Sequence, residues 1–337
     1  MIHILTDLSS KPVLAKLYDR GPCEYDWLYD GSKPGRRVYI AGLGDVGRMV
    51  SIGLRLCGAP VISRIGLYDL SGDQCRRMEM ELSQILFPGG RRDMPSVDVI
   101  RQEEIFDCDI FLFCAAGAVP AVGSQVKDVR MAQYETNRKI LSFYVEQAVR
   151  EHFQGLFGIV SDPVDLLCMQ ALSMSGWGRG LHPEQIQGFG LGVMYARAAY
   201  YAKEDPGCGA FLTAGRVFGP HGQGLVAANS TDPSEYLDEA SRRLTESVIH
   251  ANQKMRELGY KPFIAPALSS AALSVIDAAA GRFNDSARFL NGIYFGARNR
   301  VTREGTLWEQ SEGSVLPPAL CGRIEKAYRD LEAYYEG

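Results

Sequence analysis

The chain has 337 residues, a formal net charge of −4 and a hydrophobic fraction of 46%. These values are ordinary for a soluble globular enzyme with one large domain or two smaller ones. The mild negative charge gives no indication of a nucleic-acid partner or of binding to an anionic membrane surface. The most apolar segment, residues 110–122, is too short to span a bilayer and contains Gly117 and Pro120.

The cysteines are scattered along the chain, and none forms a Cys-x-x-Cys pair. No Cys/His cluster has the spacing of metal ligands, so the sequence predicts no metal site. The N-terminus lacks a basic region that leads into an apolar run, so we expect no secretory signal. Reduced thiols and a cytoplasmic location follow as expectations.

The first informative stretch is a glycine fingerprint that follows a short apolar segment. Val38–Ala41 is predicted to be a strand, Gly42-x-Gly44-x-x-Gly47 follows it, and a helical pattern begins at Arg48. The order of strand, glycines and helix is typical of dinucleotide binding, because the glycines allow a tight turn and close approach of a pyrophosphate. Free N–H groups at the helix N-terminus then hold the diphosphate. The predicted cofactor-binding residues in this loop are Gly42, Leu43, Gly44, Asp45, Val46 and Gly47.

The next elements continue the alternation of strands and helices. Residues 64–69 are predicted to form the second strand, and the carboxylate of Asp69 at its end suits the ribose hydroxyls of NAD and repels the extra phosphate of NADP. The alternative is that Asp69 only caps the next helix. Later segments are predicted as a helix over 73–87, strands over 96–100 and 108–117, a helix over 130–153 and a strand over 155–160. This order predicts an α/β fold with a Rossmann-type, doubly wound parallel sheet.

The pattern changes in the second half of the chain. Residues 176–192 are glycine-rich and predicted to be irregular, and the segments that follow are predicted as a helix over 194–202 and a strand over 209–217. Asp232, Pro233 and Glu235 predict the start of a long helix, because they supply a cap, a proline at the first position and a nearby acid. Two more helices are predicted over 269–280 and 320–334. We therefore predict an N-terminal extension over 1–35, a dinucleotide-binding domain over 36–166 and an α+β catalytic domain over 167–337.

Five motifs, taken in order, resemble those of the L-lactate/malate dehydrogenase family. They are Ala116-Gly117 at the end of an apolar strand, Arg130 before Asn137, Asp162-Pro163-Val164-Asp165, Gly188-Phe189-Gly190 followed by Ala196-Arg197, and Gly219-Pro220-His221-Gly222 with Ser230 after it. The resemblance extends from residue 36 to the C-terminus. It implies a divergent member with NAD as cofactor, a small 2-oxo or 2-hydroxy acid as substrate and a homodimeric or homotetrameric assembly.

The resemblance also implies roles for individual residues. Arg197 would hold the substrate carboxylate, and Arg130 would cover the substrate and stabilise the developing alkoxide. His221 would carry the proton, because imidazole exchanges protons near neutral pH. The structural alternatives are a surface arginine at 197 and a solvated, charged loop around 130. The further residues implied to contact the cofactor are Ala115, Ala116, Gly117 and Asn137.

Two departures from the family pattern concern the partner of His221. The family carries an aspartate three residues before the substrate arginine, where this chain has Met194, whose thioether cannot orient an imidazole by charge. The family's asparagine before Pro-Val is Asp162 in this chain. We hypothesise that Asp162 supplies the charge lost at Met194, holds the histidine tautomer and also contacts the substrate. The alternative is that the chemistry has decayed and that Asp162 only caps a helix.

The loop before Arg130 departs as well, since it is longer than in lactate-type members. Ser124 lies where malate-type members carry a second arginine, which favours a monocarboxylate, although Lys127 could replace that arginine. Val119 and Val122 favour an apolar substrate side chain. The leading prediction is therefore an NAD-dependent oxidoreductase that acts on a 2-hydroxy or 2-oxo monocarboxylic acid.

Two other functions stay open at this point. A catalytically altered sensor or pseudoenzyme could bind NAD and a small acid without hydride transfer, and Met194 favours that interpretation. The NAD- and metal-dependent glycosidases share the fold, but Cys168 has no convincing histidine partner for a metal.

Overall fold

A computed structural model describes residues 25–31, 34–90, 92–117, 129–309 and 315–336, together with Leu5, Leu8 and Cys23. Of Arg130, which lies in the first turn of a helix, the backbone alone is described. The predictions that fall outside the described residues concern Val119, Val122, Ser124 and Lys127.

Within this part of the chain, the framework is a mixed sheet of nine strands. Its strands are β1 (Arg36–Ala41), β2 (Ile62–Tyr68), β3 (Ser96–Val99), β4 (Ile110–Phe113), β5 (Leu156–Ile159), β6 (Ile186–Gly188), β9 (Asn284–Leu290), β10 (Ile293–Thr302) and β11 (Gly305–Trp308). The order across the sheet is β11-β10-β9-β6-β5-β4-β1-β2-β3. The first six strands pair in parallel, and the last three are antiparallel. A separate antiparallel pair consists of β7 (Arg216–Phe218) and β8 (Val226–Ala228).

Helices connect and cover these strands. They are α1 (Asp45–Cys57), α2 (Gly72–Ser83), α3 (Val129–Arg150), α4 (Val164–Met174), α5 (Leu191–Tyr201), α6 (Phe211–Ala214), α7 (Asp238–Ile249), α8 (Ala251–Glu257), α9 (Leu273–Ala279) and α10 (Pro318–Glu336). A π-helical segment, Pro266–Ala272, precedes α9. No helix in the described ranges combines the length and the apolar character needed to cross a membrane.

The side chains of strand β4 show that the parallel sheet is covered on both faces. Its four residues are all buried, and successive side chains point to opposite sides of the sheet. Phe111 and Phe113 belong to the core that contains Tyr144 of α3, whereas Ile110 and Leu112 belong to the core that contains residues of α1. The fold is the predicted one, a Rossmann-type parallel sheet followed by an α+β region.

The continuity of the sheet bears on the predicted domains. Strand β6 lies in the predicted catalytic domain, yet it pairs in parallel with β5 of the predicted dinucleotide-binding domain. The sheet therefore continues past residue 166, and the division into 1–35, 36–166 and 167–337 stays a prediction.

Several predicted elements of the second half are wrong in detail. Residues 209–217 contain the single helical turn α6 before the short strand β7, because the N–H of Gly215 closes that turn on the carbonyl of Phe211. The helix predicted to start at Asp232 begins at Asp238, since the Asp232 carboxylate caps a turn at Ser234 instead. The segment 176–192, predicted to be irregular, contains β6, and β8 to β11 have no counterpart among the predicted strands.

Candidate active site

The glycine loop between β1 and α1 has two glycines that the protein itself requires and one that leaves open space. Gly42 has φ +97, and a Cβ there would lie 2.5 Å from the backbone of Ala115. A Cβ on Gly47 would lie 1.9 Å from the carbonyl oxygen of Gly42. At Gly44, by contrast, a Cβ would meet no described atom within 4 Å. The second glycine is therefore the point where a ligand can approach the backbone.

The loop is held in place by the end of β2. Asp69 Oδ2 accepts a hydrogen bond of 2.7 Å from the N–H of Leu43, and Asp69 Oδ1 accepts one of 3.0 Å from the N–H of Ser71. Gln74 Nε2 donates to the carbonyl of Leu43 at 3.0 Å. The Asp69 carboxylate thus fixes the backbone of the glycine loop. Sequence reasoning missed this function because it depends on a neighbouring strand.

Gly44 is also the N-terminal cap of α1, and it brings no side chain to occupy the free N–H groups of the first turn. Asp45, in that turn, forms an ion pair of 2.6 Å with Arg48, which offsets its charge. Val46 is half-buried against the apolar core beside the sheet. The helix N-terminus therefore stays available to an anion.

Asn137 connects the end of β4 to the end of β5. Its Oδ1 accepts the N–H of Gly117 at 2.9 Å, and its Nδ2 donates to the backbone carbonyl of Asp162 at 2.6 Å. Ser161 Oγ donates to the carbonyl of Ala115 at 2.8 Å. Ala116, which lies between Ala115 and Gly117 in the chain, is exposed. The predicted cofactor-binding residues of this region consequently lie directly beside the predicted acid/base pair.

The structure brings Asp162 and His221 into contact. His221 Nδ1 lies 2.8 Å from Asp162 Oδ1, with 13% of the histidine side chain and 42% of the aspartate side chain exposed. The backbone N–H of His221 donates to Oδ2 of the buried Asp165 at 2.9 Å. A Cβ on Gly190 would lie 3.0 Å from the His221 side chain. The imidazole is therefore held from several sides, whereas the Asp162 carboxylate is partly exposed.

Arg197, on α5, completes this group. Its Nη2 donates to Asn252 Oδ1, and its Nη1 lies 3.9 Å from the sulfur of Met194. Burial lowers the pKa of Arg197, while Tyr201 and Asp162 act in the opposite direction. No carboxylate of the described residues lies within ion-pair distance of this guanidinium. The site thus contains a half-buried cation whose direct contacts are neutral.

Within the part of the chain that the structure describes, no group of three or more His, Cys, Asp or Glu side chains could hold a metal ion. The elements that converge are a glycine loop, a His/Asp pair and a half-buried arginine beside the carboxyl ends of parallel strands. This combination defines a dehydrogenase-like protein with a Rossmann-type fold.

Comparison with known proteins supports that class. No protein-family model matches the chain. The chain is 26% identical over 234 residues to an L-lactate dehydrogenase of Oceanobacillus iheyensis. The matched residues cover 67% of this chain and 68% of the relative. An L-lactate dehydrogenase of Treponema denticola is 28% identical over 213 residues, which cover 63% of this chain and 61% of the relative, less than two thirds of its length.

The fold has similar solved structures. The minor L-lactate dehydrogenase of Enterococcus mundtii has a TM-score of 0.70 at 19% identity, with 90% of this chain and 98% of that one covered. Malate dehydrogenase of Plasmodium falciparum has a TM-score of 0.68 at 16% identity, with 89% and 97% covered. In sequence and in fold, the chain thus resembles the L-lactate/malate dehydrogenase family, as a divergent relative.

Proposed function

We propose that this protein is an NAD-dependent oxidoreductase that transfers a hydride between nicotinamide and a 2-hydroxy or 2-oxo monocarboxylic acid. The observation that carries the proposal is the contact of 2.8 Å between His221 Nδ1 and Asp162 Oδ1. It gives the histidine a carboxylate partner although the family aspartate is replaced by Met194.

The glycine loop fits the proposed cofactor. The open space at Gly44 and the uncapped N-terminus of α1 suit a diphosphate, because backbone N–H groups there can donate to its oxygens. Asp69 lies at the end of β2, where a carboxylate can accept ribose hydroxyl groups while its present bonds fix the loop. When bound, NAD supplies or accepts the hydride.

Arg197 is proposed to bind the substrate carboxylate. Its side chain is half-buried and its direct partners Asn252 and Met194 are neutral. A carboxylate would compensate its charge through two parallel hydrogen bonds. Arg130 is proposed to stabilise the alkoxide. The preference for a monocarboxylate stays a prediction, since it depends on loop residues outside the described ranges.

His221 and Asp162 are proposed to move the proton. Asp162 accepts the N–H at Nδ1, so that Nε2 is the atom that exchanges a proton with the substrate oxygen. The aspartate charge also stabilises the imidazolium when it forms. Asp165 acts as a positioning residue, because its carboxylate fixes the backbone of His221.

The test follows NADH absorbance with a panel of 2-oxo acids. We expect turnover with monocarboxylates, weak activity with oxaloacetate and loss of turnover in His221→Asn, with His250→Asn as a control on an exposed histidine at the end of α7. Absence of turnover with every member of the panel contradicts the proposal. NADH binding without turnover favours the alternative, an NAD-binding sensor, for which the replacement at Met194 is the supporting observation.

We further propose a homodimer or homotetramer in the cytoplasm. The family resemblance implies this assembly, and exposed apolar side chains on and around α2 support it, namely Leu70, Met80 and Leu86. Light scattering on the purified chain tests it, and a monomer at micromolar concentration would contradict it.

A further inference from the structure

Helix α8 has no fully buried residue, and its last five positions, residues 253–257, are exposed. Ala251 and Asn252 alone are half-buried in this helix. A helix that contacts its neighbour only to bury surface would place apolar side chains inward. Here the inward polar residue is Asn252, and its Oδ1 accepts a hydrogen bond from Arg197 Nη2. The position of Asn252 is therefore explained by this contact rather than by packing.

A neutral acceptor has a particular consequence for Arg197. The amide oxygen of Asn252 fixes the direction of the guanidinium without offsetting its positive charge, and the sulfur of Met194 at 3.9 Å is neutral as well. An aspartate at 252 would instead form an ion pair and compete with any incoming carboxylate. Asparagine thus keeps the arginine both oriented and electrostatically available.

A second contact holds α8 against α5. Lys254 Nζ lies 4.5 Å from the ring centroid of Tyr201, one helical turn beyond Arg197. The two contacts, at 252 and at 254, join α8 to the helix that carries the proposed substrate arginine. Asn252 is therefore held in register with Arg197.

We propose that Asn252 is a positioning and specificity residue for the substrate carboxylate: it orients Arg197 as a neutral acceptor, so that the guanidinium receives a carboxylate anion. This inference rests on the proposed function, because it assigns the anion that Arg197 binds. It predicts that changes at 252 alter binding of the carboxylate and leave binding of the nucleotide unchanged.

The experiment compares Asn252→Asp, Asn252→Ala and the control Gln253→Ala in the full chain. Gln253 is the exposed neighbour on α8, and its amide bonds to Glu257 of the same helix at 3.1 Å. Binding of oxamate, an unreactive analogue of a 2-oxo monocarboxylate, is measured by calorimetry in the presence of NADH. The affinity for NADH, the KM and the kcat of each variant are measured in parallel.

We expect Asn252→Asp to weaken oxamate binding about 100-fold, because the new carboxylate offsets the charge of Arg197. Asn252→Ala should weaken it about 10-fold, because Arg197 keeps its charge but loses the group that orients it. KM should rise by similar factors, while kcat at saturation and NADH affinity stay within about twofold, a split that simple loss of structure would not produce. Gln253→Ala should match the wild type.

Unchanged oxamate affinity in Asn252→Asp would overturn the inference. If the wild type binds oxamate but reduces no 2-oxo acid, the proposed reaction fails while the role of Asn252 is still decided by the binding data. If the wild type binds no carboxylate, both proposals are wrong.

Discussion

Strands β4 and β5 of the parallel part of the sheet and strand β9 of the antiparallel part are buried throughout but consist of different residues. Strands β4 and β5 are buried throughout and consist of apolar residues and glycine. Strand β9 is also buried at all seven positions, yet its sequence is Asn-Asp-Ser-Ala-Arg-Phe-Leu. Apolar runs indicate the first kind of strand from sequence, whereas the second kind depends on hydrogen-bond partners supplied by distant segments.

Those partners explain how β9 tolerates burial. Ser286 Oγ accepts a hydrogen bond from Gln187 Nε2 at 2.8 Å and one from Asn299 Nδ2 at 3.0 Å. Arg288, with no exposed surface, donates to the carboxylate of Glu184 at 2.8 Å. Strands β4 and β5 are thus stabilised by apolar contact, whereas β9 depends in addition on paired polar groups.

The candidate site lies where these halves meet. Asp162 follows the parallel strand β5, whereas Arg197 and His221 lie on segments that follow β6 and β7. Variants can change the junction, the parallel half and the antiparallel half separately.

At the junction, Asp162→Asn removes the charge beside His221. We expect kcat to fall on the order of 10³-fold, because the imidazolium loses its stabilising partner and the tautomer is no longer fixed. Steady-state NADH oxidation measures this, with Asp98→Asn on the remote strand β3 as a control. The double variant Asp162→Asn/Met194→Asp should recover part of the loss. An active Asp162→Asn enzyme with an unaltered pH–rate profile would refute the coupling of Asp162 to Met194.

In the parallel half, Gly44→Val and Gly47→Val should separate binding from folding. A side chain at 44 meets no described atom within 4 Å, so the variant should fold but bind NADH about 30-fold more weakly, since the side chain occupies the space beside the loop N–H groups. Gly47→Val should fail to fold, because its Cβ would lie 1.9 Å from a backbone oxygen. Fluorescence titration and thermal unfolding measure the two effects. Equal NADH affinity in Gly44→Val would exclude the loop as the diphosphate site.

Asp165→Ala tests whether catalysis requires the hydrogen bond by which the Asp165 carboxylate fixes the backbone of His221. Loss of the 2.9 Å bond to the His221 N–H should lower kcat about tenfold with a smaller change in KM, whereas Asp165→Asn keeps an acceptor and should recover most of the activity. A purely structural role would instead lower the melting temperature of both variants without this difference in kcat.

In the antiparallel half, Asp285→Asn tests the cost of a buried charge. Burial raises the pKa of Asp285 to about 6 from 3.8, despite the nearby Arg298 and Arg216. The folded state therefore binds the proton more tightly than the unfolded state, and wild-type stability falls as pH rises from about 4 to 6. Above that range the variant should melt a few degrees higher than the wild type, and the difference should vanish towards pH 4.

The control for this prediction is Asp277→Asn, which changes a half-exposed aspartate of α9 that pairs with Arg282. It should show no comparable pH-dependent gain. If Asp285→Asn is less stable than the wild type at neutral pH, the ion pair with Arg298 outweighs the desolvation of the carboxylate.

The sequence predicted the parallel half well, because β1, β2 and β4 are apolar segments between turn residues. It also pointed to Asp162 and His221 as coupled, although their separation of 59 positions gives no distance. Asn252 was missed because one asparagine on a short exposed helix matches no motif; its only signal is a polar residue beside the apolar stripe of Ala251 and Met255. The contact of Asp69 with the glycine loop likewise depends on β2 lying beside β1.

On the proposed assignment, the replacement at Met194 separates two tasks that the L-lactate/malate dehydrogenase family places on one helix. With the histidine's carboxylate on the strand end at 162, α5 retains the arginine at 197 and no longer carries the acid. On the proposed assignment, mutations at 252 therefore change the surroundings of Arg197 without altering the contact between His221 and Asp162. Position 252 is for this reason a natural starting point for a combinatorial library, in which substrate range is varied while the chemistry at His221 is left intact.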